Sequence, residues 1–423
     1  ELAPELASSE PGQLHSARLP DLRIVIRLGD ERSSGMFNFD DVAAKAGPQD
    51  FRALETIGSN LDFDAPINIQ FTSGTTGSPK AATLTHHNIV NNASMSASIM
   101  KFTERDRLCM PVPMYHCFGM VLGTLLCTSS GAAIVLPAAA FEADACLRAI
   151  EAERCTAVHG VPTMVIAMLD DPDFADRDTT SLRTGIMAGA PCPIELMHRV
   201  IEEMHMGEIT IGYGMTETGP LSTQTLPHDP IELRVGTVGR PLPNTEIKVV
   251  DEEGHIVPRG EPGELCTRGY NVMRGYWGDP RRTAKDIDAA RWIRTGDIAT
   301  MDDDDYLRIV GRSKDMLIRG GENIYPREIE EFLYTHPKIE QAEVVGVPDP
   351  KFGEEVATWI KLHEGQTASE AEIREFCKGK LAHFKIPTYI RFVDEFPMTV
   401  TGKVQKYLIR ESMAEELGQK KSA

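Results

Sequence analysis

The chain has 423 residues, 41% hydrophobic and 25% charged, an ordinary globular composition with length for two or three domains. No apolar run approaches the roughly 20 residues that span a bilayer, which excludes integral membrane association. With 44 basic and 63 acidic side chains the net charge is −19, a surface that repels phosphate backbones and argues against nucleic acid as a partner. A small anionic substrate would need a local positive site.

Residues 1–48, rich in Pro, Ser and Arg, read as loop, a short strand at 22–28 and loop, without the pattern of a signal peptide. From residue 67 strands and helices alternate: strand 67–71, helix 88–100, strand 132–136, helix 143–153 and strand 156–159. A helix from Pro162, a strand at 185–188, a helix from Pro193 and a strand at 209–213 follow. This alternation predicts an α/β fold with a mostly parallel sheet covered by helices. Beyond Pro227 helices are expected to stop. Strands at 246–250, 263–268, 292–294, 298–301 and 307–310, separated by Gly, Pro and Asp, predict a β-rich subdomain, with the acidic run 302–305 as a solvated turn.

A third texture begins at Arg312. Ile329, Phe332 and Leu333 share one face of a helix at 326–334, strands are expected at 343–347 and 356–362, and Ser369 and Glu372 have capping-box spacing. The organisation expected is a large domain over 1–311 and a small α+β domain over 312–423. The 8 cysteines are scattered without a CxxC pair, which excludes the usual zinc spacings and suits reduced thiols in a reducing compartment.

Two stretches offer chemistry on their own residues. Phe71-Thr72-Ser73-Gly74-Thr75-Thr76-Gly77-Ser78-Pro79-Lys80 puts hydroxyls, unhindered backbone N–H groups and a lysine after a strand, which suits a polyphosphate. The Walker A spacing cannot be fitted to it. Ile211-Gly212-Tyr213-Gly214-Met215-Thr216-Glu217-Thr218-Gly219 also follows a strand and fails the dinucleotide fingerprint. It supplies an aromatic ring, a hydroxyl and a carboxylate able to hold Mg²⁺; alone it reads as a turn.

Both stretches recur, in order, with Thr295-Gly296-Asp297, Gly311-Arg312-Ser313-Lys314-Asp315 and Pro397-Met398-Thr399-Val400-Thr401-Gly402-Lys403. In this the chain resembles the AMP-forming superfamily of acyl-CoA synthetases, peptide-synthetase adenylation domains and luciferases. It is most similar to the fatty-acid CoA ligases of medium-chain type, through Pro113-Met114-Tyr115-His116-Cys117-Phe118-Gly119 and Arg319-Gly320-Gly321-Glu322-Asn323-Ile324-Tyr325-Pro326. Such proteins carry a substantial portion before the phosphate loop, whereas about 70 residues precede it here, so part of the large domain is expected to be missing.

The resemblance implies an ATP-dependent ligation of an aliphatic carboxylic acid to coenzyme A through an acyl-adenylate, with ATP, Mg²⁺ and CoA as cofactors. Thr72, Ser73, Gly74, Thr75, Thr76, Gly77, Ser78, Pro79 and Lys80 would cradle the β- and γ-phosphates, with Glu217 as the metal ligand and Thr216 a phosphate contact. Tyr213, followed by Gly214, would stack on adenine against Gly189, Ala190 and Pro191, while Asp297 and Arg312 would bind ribose. Lys403 would span the carboxylate and α-phosphate, Lys314 would be the hinge, and Arg319, Gly320 and Gly321 would shape the pantetheine tunnel. His116 is either a core histidine or the aromatic gate beside the acyl carboxylate. The pocket is expected from 116–125, 159–163, 188–191 and 215–221, where Met120, Val121, Leu122 and Met215 favour an apolar acyl group. A luciferase-like oxygenase, an amino-acid adenylation module and an inactive nucleotide-binding fragment are the alternatives. A cytoplasmic location is expected, or the mitochondrial matrix if a preceding segment carries a transit peptide.

Overall fold

The computed structural model describes residues 2–72, 79–190, 192–398 and 404–418. The chain divides into two compact units, Glu1–Ala65 and Pro66–Ala423. In the first, the strand Ile26–Arg27 pairs in parallel with Phe37–Asn38, shorter than the expected strand at 22–28. The helices Phe39–Ala43 and Pro48–Ser59 follow; Pro48 opens the second, and Asp50 accepts a hydrogen bond from the Gly47 N–H at 2.8 Å.

The second unit has the expected α/β architecture. Its central sheet has seven strands, in the order Arg240–Pro241, Leu221–Gln224, Glu208–Gly214, Thr184–Ala188, Ala157–Val158, Arg107–Cys109 and Ala133–Val135. The last five run parallel and the first two are antiparallel additions at one edge. The helices His86–Ile99, Ala143–Glu153, Pro162–Leu169 and Ile194–Glu202 cover the sheet, each burying one stripe of side chains. Cys146, Leu147 and Ile150 of Ala143–Glu153, for example, join Cys109, Val158 and Met187 of the sheet in one buried core.

Two expectations need correcting. Helices do not stop at Pro227: Ile231–Gly236 and Pro280–Asp286 are helical, the second opened by Asp279, whose Oδ1 accepts from the Arg282 N–H at 2.9 Å. The strands expected at 292–294 and 298–301 are one strand, Ile293–Met301, in a four-stranded sheet with Thr245–Val250, Gly263–Gly269 and Leu307–Arg312. The run 302–305 is the turn into Leu307–Arg312, with Asp302 accepting from the N–H groups of Asp304 and Tyr306.

Beyond residue 312, the sheet Leu317–Arg319, Glu322–Ile324, Ile339–Asp349, Gly353–Leu362 and Tyr389–Phe392 carries its own buried core. Ile329 and Leu333 of the helix Pro326–Leu333 pack into it, and Ser369 caps the helix Glu370–Cys377 by accepting from the Glu372 N–H. The last helix, Lys406–Glu416, is fixed at its first residue: the Lys406 ammonium contacts Glu330 and lies 3.3 Å from Glu343 Oε2.

Burial, more than the Lys406 charge opposes, pushes the Glu343 carboxyl well above its usual 4.5. The folded protein then keeps a proton there that the unfolded chain releases. That contribution to stability is present below 4.5 and is lost as the pH rises through the raised value. We expect Glu343→Gln, which cannot titrate, to lose less stability than wild type between pH 5 and pH 8; parallel loss in thermal melts would remove Glu343 as the cause.

Candidate active site

In doubly wound sheets, ligands bind beyond the carboxyl ends of the parallel strands. Thr184–Ala188 and Glu208–Gly214 end side by side, with Ala188 opposite Gly212, so Gly189 and Ala190 leave one strand beside Tyr213 and Gly214 of the next. Pro191 lies outside the described residues. Gly214 is required by crowding: a Cβ there would stand 1.9 Å from the Pro220 carbonyl oxygen. The chain then turns through the short 3₁₀ segment Thr216–Thr218, which buries Glu217 to 4% exposure.

Asp297 reaches the same place by a bulge. Along the ladder with Gly263–Gly269, Glu264 stands opposite Ile298 while Cys266 stands opposite Arg294, so residues 295–297 face a single residue. Gly296 takes φ +74°, and the bulge re-aims the following side chain. Asp297, only 6% exposed, accepts from the Tyr213 hydroxyl through Oδ2 at 2.6 Å and pairs through Oδ1 with Arg312 Nε at 2.9 Å. Arg312 is its register partner on the next strand. Burial and the Asp297 charge push the Tyr213 phenol well above its usual 10, and Asp297 raises the Arg312 guanidinium. Thus Tyr213, Asp297 and Arg312 form one connected group.

Of the residues expected to cradle phosphate, Thr72 and Lys80 are opposite each other on the antiparallel strands Pro66–Thr72 and Lys80–Thr85. Pro79 immediately precedes the second strand; Ser73, Gly74, Thr75, Thr76, Gly77 and Ser78 lie outside the described residues. Lys80 Nζ lies 3.6 Å from Asp286 Oδ2, donates to the Tyr276 hydroxyl at 3.5 Å and sits 5.2 Å from the Tyr276 ring centre. The same hydroxyl is 2.9 Å from Glu217 Oε1. Lys80 and Glu217, 137 positions apart by their numbers, therefore meet through one phenol.

His116 is half-buried, and its Nδ1 accepts from the Phe118 N–H at 3.1 Å. Cys117 Sγ is 3.4 Å from Thr216 Oγ1, which joins this segment to the Thr216–Glu217 turn. After it, Phe118–Leu125 forms a π-helix. His159, fully buried, donates from Nε2 to the Leu122 carbonyl at 3.0 Å and accepts from the Ile186 N–H at 3.1 Å. Burial pushes its pKa down to about 4, so the ring is neutral at pH 7 and locks the π-helix to the sheet.

Arg319 is placed differently from a free ligand. Its Nε donates to Glu355 Oε1 at 2.5 Å, and its guanidinium stacks 4.2 Å from the Phe352 ring centre. Gly320 and Gly321 form the turn beyond it, and Gly321 has open space where a side chain would stand. Lys403 lies outside the described residues. Tyr276, Asp286 and Arg282 escaped the sequence reading; the run Arg274-Gly275-Tyr276-Trp277 carries no local mark of its partners.

The fit to a divalent cation follows from Glu217. Its Oε1 accepts from the Tyr276 hydroxyl, and a carboxylate held in this way offers the hard oxygen donor that Mg²⁺ takes. Glu217→Gln keeps the shape and loses the charge. We expect it to raise the Mg²⁺ needed for half-maximal turnover about tenfold, with recovery at high Mg²⁺. Unchanged activity at low Mg²⁺ would reduce Glu217 to a turn residue.

The chain is 54% identical over 416 residues to "Putative acyl-CoA synthetase YngI" of Bacillus subtilis, covering 98% of this chain and 75% of that one. It is 49% identical over 421 residues to "Medium-chain acyl-CoA ligase ACSF2, mitochondrial" of Danio rerio, covering 99% of this chain and 69% of that one. Among solved structures, ATP-bound MatB from Rhodopseudomonas palustris matches with a TM-score of 0.81 and 33% identity, over 92% of this chain and 74% of that one. The model of the AMP-binding enzyme family matches residues 5–277, and that of the AMP-binding enzyme C-terminal domain matches 328–403. On matches of this extent the chain belongs to the AMP-binding enzyme family.

Proposed function

We propose that the chain is an AMP-forming acid–thiol ligase that joins a medium-chain aliphatic carboxylic acid to coenzyme A. The observation that carries this is a pair of side-chain networks, Lys80–Tyr276–Glu217 and Tyr213–Asp297–Arg312, brought together by the short chain from Tyr213 to Glu217, in a chain 49% identical to a protein named a medium-chain acyl-CoA ligase. A carboxylate oxygen attacks the α-phosphorus of ATP, the bond to pyrophosphate breaks, and an acyl-adenylate forms. The CoA thiol then loses its proton, its sulfur attacks the acyl carbon, and the carbon–oxygen bond to AMP breaks.

In the first step Lys80 and the 73–79 loop hold the β- and γ-phosphates, Thr216 contacts phosphate, and Lys403 bridges the attacking carboxylate and the α-phosphate. Preorganised donors of this kind act where charge develops. Glu217 would hold Mg²⁺, which when bound neutralises phosphate charge. Tyr213 carries adenine against Gly189, Ala190 and Pro191, and Asp297 and Arg312 take the ribose. The acyl chain lies along the π-helix, past His116 and toward Met120 and Met215, while Val121 and Leu122, expected beside it, are packed into the core.

The small domain is taken to begin at Arg312, after a large domain over 1–311. Lys403 and the Arg319–Gly320–Gly321 turn both belong to it, and rotation about Lys314 lets each serve a different half-reaction. Among the described residues no helix is long and apolar enough to cross a membrane. Eight cysteines without a disulfide suit a reducing compartment, the cytoplasm or the mitochondrial matrix. The test is ATP–pyrophosphate exchange and CoA-thioester formation over a panel of carboxylic acids of increasing chain length. Acid-dependent exchange with a maximum at medium chains and CoA-dependent AMP release supports the reading. Exchange without thioester formation, or O₂ consumption in its place, overturns it.

A further inference from the structure

We propose that Tyr276 is a positioning residue that fixes the orientation of Glu217 and couples it to Lys80, with Asp286 holding the other side of the network. The inference rests on the reading of Glu217 and Lys80 as the groups that take the metal–triphosphate. A carboxylate on a short 3₁₀ turn can swing about its side-chain torsions, and its value as a cation ligand depends on one orientation. Here Glu217 Oε1 is held 2.9 Å from the Tyr276 hydroxyl, which turns the other oxygen away from that contact.

Tyr276 is itself held from several directions. It is 7% exposed; Gly275 and Tyr276 pair with Thr83 and Ala82 of the strand that Lys80 begins, and its own N–H donates to Thr283 Oγ1 at 2.9 Å. Its hydroxyl lies 3.1 Å from Asp286 Oδ2, and Asp286 is paired with Arg282 Nε at 3.1 Å and with Lys80 at 3.6 Å. Glu217, Asp286, Lys80 and Arg282 thus carry two negative and two positive charges around one phenol. A phenol has a single proton to donate, so it satisfies one carboxylate at a time, and the two cations stabilise the other. The lysine reaching for phosphate and the carboxylate reaching for metal consequently share one anchor. Displacing either group disturbs the orientation of the other.

The test compares the full chain with Tyr276→Phe and Asp286→Asn, using calorimetric titration of Mg²⁺ in the presence of ATP and the Mg²⁺ dependence of ATP–pyrophosphate exchange. Tyr276→Phe is expected to weaken Mg²⁺ binding about tenfold or more, the range for loss of a partner that orients a metal ligand. Its kcat at saturating Mg²⁺ should stay within about threefold of wild type, because a reoriented carboxylate is recovered by mass action. Asp286→Asn, close to isosteric, should raise the KM for MgATP through Lys80. A merely structural Tyr276 would lower kcat and thermal stability and leave the Mg²⁺ constant unmoved. An unchanged Mg²⁺ constant in Tyr276→Phe, or in Asp286→Asn an unchanged KM, overturns the coupling. Wild type that fails to bind MgATP or to exchange pyrophosphate sinks the underlying ligase reading instead.

Discussion

Lys403→Ala is expected to slow adenylate formation by about 100- to 1,000-fold, the loss typical of one preorganised donor to a developing oxyanion. Thioester formation from a supplied acyl-adenylate should be largely spared. Met398 and Val404 form an antiparallel bridge on either side of 399–403, and the Gln405 N–H donates to the Pro397 carbonyl at 2.7 Å. Next, the half-buried Lys406 pairs with Glu330 and Glu343. The described residues on either side of 399–403 are thus tied to the small domain. Single-turnover assays of each half-reaction decide the matter; equal losses in both would sink the division of labour between two orientations.

Asp297→Ala should weaken ATP binding by about 30- to 150-fold, or roughly 2–3 kcal/mol, the scale of a charge-assisted hydrogen bond lost with its partner left unpaired. Its two oxygens have about four acceptor positions, of which the Tyr213 hydroxyl and Arg312 Nε occupy two. The remainder suit two ribose hydroxyls. Asp297→Asn keeps an acceptor at each contact except where its NH₂ faces a donor, so its loss should be smaller. Calorimetry with ATP measures both variants. An alanine variant that binds ATP as wild type does would remove Asp297 from the ribose site.

Much of this was legible in the sequence because the signals are local. The helix Ala143–Glu153 begins and ends where its apolar spacing does, and the parallel strands announce themselves as short apolar runs between helices. The errors have physical causes. Gly296 reads as a break between two strands, whereas its positive φ makes a bulge inside one. The helix Pro280–Asp286 has no buried face to give it a periodicity; its start, Asp279 before Pro280, is written in capping residues. The site motifs are contiguous and so visible. Tyr276 acts on Glu217 and Lys80 across 59 and 196 residues of chain, a distance at which no spacing rule operates.

The cysteines, so far treated as small core side chains, also make the molecule a clock for its own opening. Seven of the eight are buried, and the half-buried Cys192 has its thiol pushed by burial up to about 12, so a thiol reagent at neutral pH reacts slowly with the native protein. Cys377 belongs to the core of the small sheet, while Cys109, Cys146 and Cys155 belong to that of the central sheet. Pulse alkylation followed by peptide mass analysis therefore times the two regions separately. Cys377 reacting ahead of the other three would mark the carboxyl-terminal sheet as the first cooperative block to come apart.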